Sequence, residues 1–426
     1  MNIFGKCLLS GSIFAALFAS CVESHATVYY LGGEQPSSGD WLSSSWPNLT
    51  TQLGKLTSGD ELWIATGTVT RVGGSSLAVS VPNVSIKGAW QTTGGTWTRA
   101  ALTNKNNRSI LDGASIGYLM QITAGATNVL LEGLWLKQGY SNGDVLGTPQ
   151  GNLTIYGTGA ILDYCNITDG KYNTYTICAY VGLAIEAPDV IVRRCLFRDN
   201  NANVNQYYGA VHLRVAASNC RFTECEFYHN VSDTDQAVAT YNGSGSTIIF
   251  DNCLFYDPRP LAPHGAGTVR FVNCTFHTVQ MRFWDGNGYT KFYNCVISES
   301  GDFVFNSNSA QDAYVEMYNS LVDNLSRQTG TSRFHITSVT NLDIDAGYLP
   351  AFKNAASSNF NLATNSAAIE KGITNWLGYT YQGAVLFTPP IDQTDLNVLK
   401  RIQGKKVDMG AFEALYKAPG MVITLR

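Results

Sequence analysis

The chain has 426 residues and a formal net charge of −4, and charged residues make up only 14% of it. A mildly acidic chain without a basic stripe does not suit nucleic-acid binding, which needs clustered lysine and arginine to neutralise phosphates. The length is sufficient for one large domain with closed ends.

The first 26 residues have the features of an export signal. Lys6 precedes the apolar run CLLSGSIFAALFA, which is too short to span a bilayer. The small residues of SHA predict cleavage after Ala26, so that the mature chain begins at Thr27. A second interpretation stays open, in which FAS-C is a bacterial lipobox, cleavage follows residue 20 and Cys21 carries a lipid. In that case the protein contacts a membrane only through its lipid.

Residues 27–82 are predicted to form an N-terminal cap and the first coil. TVYYLGG alternates as a strand does, and SWPNLTTQLGKL has apolar residues at helical spacing, with Pro47 near its start. A short amphipathic helix here would cover the apolar cross-section that the end of a repetitive fold exposes. GDELWIATGTV then begins the coils.

Residues 83–348 repeat one pattern, a short apolar strand, a two-residue corner and a second short strand. The corner holds Cys165, Cys195, Cys225, Cys253, Cys274, Cys295 and then Ser320, at steps of 21 to 30 residues. A recurrence of this length predicts a solenoid, and alternation without a long helical stripe predicts coils made of strands alone. The predicted fold class is all-β, a single-stranded right-handed parallel β-helix with N- and C-terminal caps.

Stacking of the coils explains the polar corner. An Asn at the same corner of each coil can hydrogen-bond to the Asn above and below it, and the Cys beside it packs as a small apolar residue. Neighbouring corner Cys residues, ~4.8 Å apart, lie within disulfide distance. We nevertheless expect free, buried thiols, because Gly133 and Ser320 occupy equivalent corners without a partner. Cys178 and Cys220 lie outside this column.

The candidate site is the outward face of the strand that precedes each corner. In GAVHLRVA, alternation turns Val211, Leu213 and Val215 inward and His212 and Arg214 outward. On neighbouring coils the same alternation turns outward Glu186, Tyr241, Arg282 and Trp284, with Asp285 next in sequence. The coil with DPRPLAPHG would bring Arg259 or His264 to the rim, and the Asn-rich loop 198–209, with Tyr207 and Tyr208, would form a wall.

This face suits an acidic polysaccharide. Elimination from a uronate needs a base for the proton α to the carboxylate, a cation beside that carboxylate and an acid for the leaving oxygen. His212 or Tyr241 would be base or acid, and Arg214 or Arg282 would be the cation. The substrate-binding residues would be Glu186, Tyr207, Tyr208, Trp284 and Asp285.

Other interpretations stay open. Hydrolysis needs two carboxylates at a fixed gap, and Glu186 and Asp285 are about four coils apart, so a lyase is favoured over a hydrolase. Because an outward face in water is polar in any case, the same residues also suit a surface adhesin or a stiff spacer without activity. No metal-ligand spacing is present, but a Ca²⁺ ion held by carboxylates of different coils would leave no sequence pattern, so the metal content is unknown.

Residues 349–426 are predicted to form a C-terminal cap. LPAFKNAASSNFNLATNSAAIEKGI, followed by TDLN, Arg401 and VDMGAFE, resembles the closing coils of bacterial surface β-helix proteins of the polymorphic-outer-membrane-protein-like, choice-of-anchor type, within the pectin-lyase-like superfamily. GDELWIATGTV, SIKGAW, RSILDG and the NCxF corners fit the same group, so the resemblance covers nearly the whole chain after residue 26. Two departures are Asn397, where Asp is expected, and IEKG in place of IDAG at 369–372.

The resemblance implies a location, and the polar and aromatic face predicts the class of partner. We expect an extracellular protein or one on the outer-membrane surface of a bacterium. It is expected to be a monomer that binds polysaccharide or a host or cell-surface glycan. No sorting domain or barrel follows VDMGAFE, which favours a lipid anchor or free secretion. The group does not share one activity, so the resemblance itself assigns none.

Overall fold

The structure is a computed structural model. It describes residues 26–73, 75–141, 151–172, 181–202, 209–232, 238–256, 261–284, 286–300, 303–306, 311–323, 331–350, 352–372, 379–381, 384–387, 395, 397 and 407–414. Cys21 and the predicted export signal up to residue 25 lie outside these ranges, as do Cys178, Tyr207, Tyr208, Arg259, Asp285 and Arg401.

Short strands stack into four long sheets. Sheet I contains Val28–Leu31, Asp40–Leu42, Glu61–Ala65, Ser85–Thr93, Leu130–Glu132, Ile161–Asp163, Ile191–Arg193, Arg221–Thr223, Thr247–Asp251, Thr268–Val272, Gly288–Tyr293, Ala313–Tyr318 and Phe334–Val339, with Thr96–Arg99 beside Ser85–Thr93. Sheet II contains Gly67–Thr70, Ser109–Asp112, Leu134–Lys137, Asn166–Thr168, Leu196–Arg198, Glu226–Tyr228, Leu254–Tyr256, Thr275–His277, Val296–Ser298, Leu321–Val322 and Leu342–Asp343. Sheet III contains Leu77–Val79, Met120–Ile122, Leu153–Ile155, Leu183–Ile185, Val211–Leu213, Val238–Asn242 and Leu261–Gly265. Sheet IV contains Tyr140–Ser141, Lys171–Tyr172, Asn201–Ala202 and Val231–Ser232.

One coil passes through the sheets in the order I, II, IV and III. Ile161–Asp163, Asn166–Thr168, Lys171–Tyr172 and Leu183–Ile185 form such a coil, and Ile191–Arg193 begins the next one in sheet I. Successive coils pair in parallel and in register, as when Leu162 lies opposite Val192. The chain is therefore a right-handed parallel β-helix, which confirms the fold class predicted from the repeat.

The corner between sheets I and II requires a left-handed backbone. The residue at this corner has a φ between 48° and 67° in Gly133, Tyr164, Arg194, Glu224, Asn252, Asn273, Asn294 and Asn319. Asn and Gly tolerate this region best, so the conformation and the side-chain ladder both favour Asn here. The ladder is present, because the Asn294 Nδ2 donates to Asn273 Oδ1 at 3.2 Å and the Asn319 Nδ2 to Asn294 Oδ1 at 2.9 Å.

The cysteine column is also present, with one change of register. Cys165, Cys195 and the later corner cysteines are buried and unbridged, as is Cys220, so the expectation of free thiols is confirmed for the described cysteines. Gly133, however, is not equivalent to a Cys. The pairing of Trp135 with Asn166 places Gly133 at the left-handed corner of Tyr164 and Leu134 in the cysteine column.

Aromatic rings fill the interior of the middle coils in two stacks. Phe197, Phe227, Phe255 and Phe276 lie 4.7–4.8 Å apart between ring centres, and Phe222, Phe250, Phe271 and Phe292 lie 4.7–5.1 Å apart. Each such contact adds about 0.5–1.5 kcal/mol to the burial of the rings. The stacks fix the coil spacing where the strands themselves are only three to six residues long.

A second Asn ladder lies beside sheet IV, with Asn200 and Asn230 just before its strands and Asn152 just before a strand of sheet III. Asn152, Asn200 and Asn230 are fully buried, and their side chains connect at 3.1 Å and 3.0 Å. Their amide nitrogens also donate to backbone carbonyls, which satisfies polar groups that have no access to water. The sequence analysis did not single out these residues, because they do not accompany a repeated Cys.

The predicted helix covers the N-terminal end of the coils. It spans Trp46–Lys55, and the Ser45 Oγ accepts a hydrogen bond from the Asn48 backbone N–H at 3.3 Å. Pro47 lies in the first turn, where a missing N–H costs nothing. Trp46, Leu49 and Leu53 join the main core, so the apolar face of the helix closes that core.

The segment 407–414 packs along the side of the coils. Met409 contacts a cluster with Val296 and Leu321 on the outward face of sheet II. Gly410 N donates to the Asn294 carbonyl at 2.7 Å, and Ala411 N donates to Thr275 Oγ1 at 2.9 Å. We call residues 407–414 the C-terminal strip. The shorter elements are a 3₁₀ helix at Ala355–Ser357 and three strand pairs, Arg282–Trp284 with Val304–Asn306, Phe352–Asn354 with Asn359–Leu362, and Tyr379–Tyr381 with Ala384–Phe387.

Candidate functional site

A row of polar residues lies at or just after the C-terminal ends of five sheet III strands, one residue on each coil. The in-register pairing of these strands places Tyr156, Glu186, Arg214, Tyr241 and His264 in one line along the coil axis. We call this line the strand-end row. The sequence analysis named Glu186, Arg214 and Tyr241 for the face and His264 for its rim, but it missed Tyr156.

Glu186 and Arg214 form an ion pair at the centre of the strand-end row. The Arg214 Nη1 donates to the Glu186 Oε1 at 2.8 Å, and both side chains are partly buried. Tyr156, one coil before Glu186, has its pKa raised to about 12, first by burial and then by the Glu186 charge. The phenol therefore remains protonated at neutral pH and acts as a hydrogen-bond donor.

His212 faces away from the core, as the alternation predicted, but it is not open to solvent. Only 3% of it is exposed, and its neighbours in the same outward row, Ala184 and Ala239, are fully buried. Burial holds the His212 pKa well below its ordinary value, and the charges of Arg214 and His264 lower it further. The imidazole is neutral at pH 7, but it is too enclosed to reach a polymer outside.

Val215 does not point inward as predicted. The strand ends at Leu213, and Val215 lies in the following turn, where it is 67% exposed. Alternation holds only while the backbone stays extended, and that condition fails one residue after Leu213. The inward placement of Val211, Leu213, Met281 and Phe283 is confirmed, because all four are buried in the main core.

Arg282 lies on the same side but not beside Arg214. The bridge between Leu261 and Met281 places Arg282 three coils after His212, or about 14 Å along the axis. Its Nε donates to Gln280 Oε1 at 3.0 Å. The predicted base and both predicted cations therefore do not converge on one point. The side chains of Tyr241 and Trp284 lie outside the described residues.

The strand-end row leads to a small cleft of about 10 Å³ between sheets III and I, which is room for about one water molecule. Its lining includes His264, Phe283, Tyr289 and Tyr314. The rings of Tyr289, Tyr314 and His335 stack along the axis, with 4.7 Å between successive centres. Asp312 accepts hydrogen bonds at 3.2 Å from the Tyr314 hydroxyl and the His335 Nε2. The sequence analysis missed this stack, because each of its rings directly precedes an inward-facing residue, and the strand pattern is recognised from the inward-facing residues.

A second cleft, of about 80 Å³, lies at the corner between sheets I and II, where the segment 101–108 covers the coils. Its lining includes Lys105, Arg108, Tyr164, Arg194 and Cys195. Lys105 pairs with Glu226, and Arg194 pairs with Asp163, both at 2.5 Å. The Arg194 guanidinium also lies 4.3 Å from the centre of the Tyr164 ring.

Among the described residues, no three His, Cys, Asp or Glu side chains converge as metal ligands would. The same residues contain no helix that is both long enough and apolar enough to cross a membrane.

Neither a protein-family model nor a curated relative matches the chain. Among solved structures it is similar to the pectate lyase Pel9A, at 11% identity over 91% of this chain and 97% of that one, with a TM-score of 0.48. It is also similar to the tailspike protein gp49 of Acinetobacter baumannii bacteriophage Fri1, a capsular polysaccharide depolymerase, at 10% identity over 75% and 61% of the two chains, with a TM-score of 0.36. A PL6 alginate lyase shows 11% identity over 75% and 85%, with a TM-score of 0.35.

Proposed function

We propose that the protein binds an extended polysaccharide along the strand-end row and over the small cleft that follows it. The observation that carries the proposal is the line from Tyr156 through Glu186 and Arg214 to His264, with one polar side chain on each coil. An extended glycan also presents its polar groups at regular intervals, and a coil rise of ~4.8 Å is comparable to the length of one sugar unit. Each coil would then contact about one sugar.

An acidic glycan fits the charges best. A carboxylate of the glycan can replace Glu186 as the partner of Arg214, and the protonated Tyr156 hydroxyl is a donor one coil away from Glu186. Tyr289, Tyr314 and His335 offer ring edges and polar tips to neutral parts of the same chain.

The arrangement favours binding over cleavage. Elimination requires an accessible base next to the neutralising cation, but His212 is enclosed and Arg214 is held by Glu186. We therefore place adhesion or retention of a glycan before β-elimination, which stays the second candidate. The proposed setting is an exported monomer on the bacterial surface or outside the cell, either free or anchored through Cys21.

The first experiment is a binding assay of the purified protein on a panel of uronate and neutral polysaccharides. We expect Arg214→Gln to weaken binding to an acidic glycan by about tenfold, and Glu186→Gln to strengthen it because the guanidinium is released. Arg193→Gln is the matched control, because Arg193 also pairs with a carboxylate, Asp163, but on sheet I. Equal binding by the Arg214 and Arg193 variants would overturn the proposal.

The same panel separates binding from cleavage. Unsaturated products, followed by their absorbance, would establish a lyase if they disappear in Arg214→Ala. Binding without such products supports the adhesin form. Absence of binding to every glycan would leave the strand-end row as a structural feature only.

A further inference from the structure

We propose that Cys165 and Cys195 form a two-coordinate site for a soft monovalent cation of the Ag(I) or Cu(I) class, reached through the second cleft. This inference is independent of glycan binding, which concerns another side of the coils. It rests on the spacing of the two thiols, on a buried charge beside them and on an opening to solvent.

The two thiols are stacked on consecutive coils. Leu196 N donates to the Cys165 carbonyl at 2.9 Å, and Cys165 N approaches the Cys195 Sγ at 3.4 Å. The stack of Phe197 on Phe227, two residues further along the next pair of coils, gives a coil spacing of 4.8 Å. A coil spacing of this size also lies within disulfide distance, but Cys165 and Cys195 are both unbridged. Two metal–sulfur bonds of about 2.3 Å each span about 4.6 Å, which fits a linear S–metal–S bridge.

Arg108 supplies the matching charge. It is only 3% exposed, and its guanidinium donates to the backbone carbonyls of Leu102, Asn104 and Asn107. Among the described residues it has no carboxylate in an ion pair, and its Nε is buried without a hydrogen-bond partner. It lines the second cleft together with Cys195 and Tyr164, and its guanidinium lies 5.8 Å from the centre of the Tyr164 ring. A buried cation without an anion is costly, so an anionic occupant beside it is favoured.

The charges balance when the metal binds. Each thiol releases one proton to solvent, and the two thiolates with one monovalent cation carry a net charge of −1, which Arg108 offsets. Thiolate sulfur is the ligand that soft cations select. Zn²⁺ requires four ligands, and two thiols do not supply them.

Access distinguishes this pair from the rest of the column. Cys195 lines the second cleft, beside Arg108 and Tyr164. Cys274 is equally buried and lies in the same column, three coils further along. Cys274→Ala is therefore the matched control for Cys195→Ala.

The test is a titration of the purified protein with Ag(I) alone, with bound silver measured after gel filtration. We expect Cys195→Ala and Cys165→Ala each to lose one tightly bound equivalent, Cys274→Ala to keep it, and Arg108→Met to bind it about tenfold more weakly. Zn²⁺ added in place of silver should not be retained. Equal loss in Cys195→Ala and Cys274→Ala, or full retention in Cys195→Ala, would refute the site.

A second measurement needs no variant. X-ray absorption of the one-equivalent complex should show two sulfur neighbours, and mass spectrometry should show Cys165 and Cys195 protected from a small alkylating reagent by bound silver. Oxygen or nitrogen neighbours, or protection spread evenly over the column, would contradict the proposal even if the variants fold poorly.

Discussion

At the scale of single residues, the corner between sheets I and II combines two demands. Asn294 is fully buried, its φ is 52°, and its side chain links Asn273 to Asn319. The repeated NC dipeptide predicted the hydrogen-bond ladder. It did not reveal the left-handed backbone, because Tyr164, Arg194 and Glu224 occupy the same position and hide the preference for Asn.

Two substitutions at Asn294 separate these demands. Asn294→Gly keeps the left-handed backbone and loses the ladder, whereas Asn294→Ala loses both. We expect both to lower the free energy of unfolding, and Ala to cost about 1 kcal/mol more than Gly. Denaturant titration measures the difference, and an Ala variant as stable as the Gly variant would disprove the role of the backbone conformation.

His212 predicts a loss of stability in acid. Burial first, and then the charges of Arg214 and His264, hold its pKa well below the ordinary value, so the unfolded chain binds a proton that the folded chain does not. The neutral His212 makes its full contribution to the free energy of unfolding above about pH 6.5. Below that pH this contribution falls by up to ~1.4 kcal/mol per pH unit. The melting temperature of His212→Gln should therefore fall less between pH 7.5 and pH 5 than that of the wild type.

At the scale of elements, the alternation of apolar residues predicted which side chains of the strands point inward, and Leu183, Ile185 and Val211 do so. The sequence did not predict how far each strand extends, which is why Val215 was misplaced. The sequence also did not reveal that the outward-facing side chains of Ala184 and His212 are buried. A period of two predicts which side of the strand a residue faces, but not whether other residues cover that side. Part of the candidate site was therefore predictable, but its accessibility was not.

The C-terminal strip gives a prediction at this scale. Thr275 is 1% exposed, and its hydroxyl accepts the Ala411 N–H at 2.9 Å. Thr275→Val leaves that N–H unsatisfied and should weaken the docking of residues 407–414 by about 1–3 kcal/mol. Thr275→Ser keeps the hydroxyl and is the control. Hydrogen exchange of the strip should rise in the Val variant alone, and equal exchange in both variants would contradict this account.

At the scale of the whole molecule, neighbouring coils stabilise one another, so the stability of a solenoid is close to a sum over adjacent pairs. The two phenylalanine stacks connect the coils between residues 195 and 297 more tightly than the aliphatic coils before them. The repeated Cys predicted that these coils form one regular part of the solenoid. It did not predict the ring stacking, which depends on the register.

Hydrogen exchange can test this distribution of stability. Phe250→Ala removes a ring stacked on Phe222 at 4.7 Å and on Phe271 at 5.1 Å, and it should cost about 3–5 kcal/mol. We expect its loss of protection to spread over the coils joined by the two stacks. Leu131→Ala, in an aliphatic coil, should affect only its immediate neighbours. A purely local effect of Phe250→Ala would show that the stacks do not couple the coils.

The C-terminal strip also affects how the coils resist a pulling force. In a parallel β-helix the ladder hydrogen bonds lie along the coil axis, so a pull along that axis opens them one coil at a time. The strip joins Thr275 on one coil to Asn294 on the next, and the Asn319 side chain, one coil further, donates to the Lys371 carbonyl at 2.8 Å. Tension on these coils is then shared between the ladders and a second chain segment alongside them. A protein that holds a polymer under flow would resist stretching at this end more than its short strands alone allow.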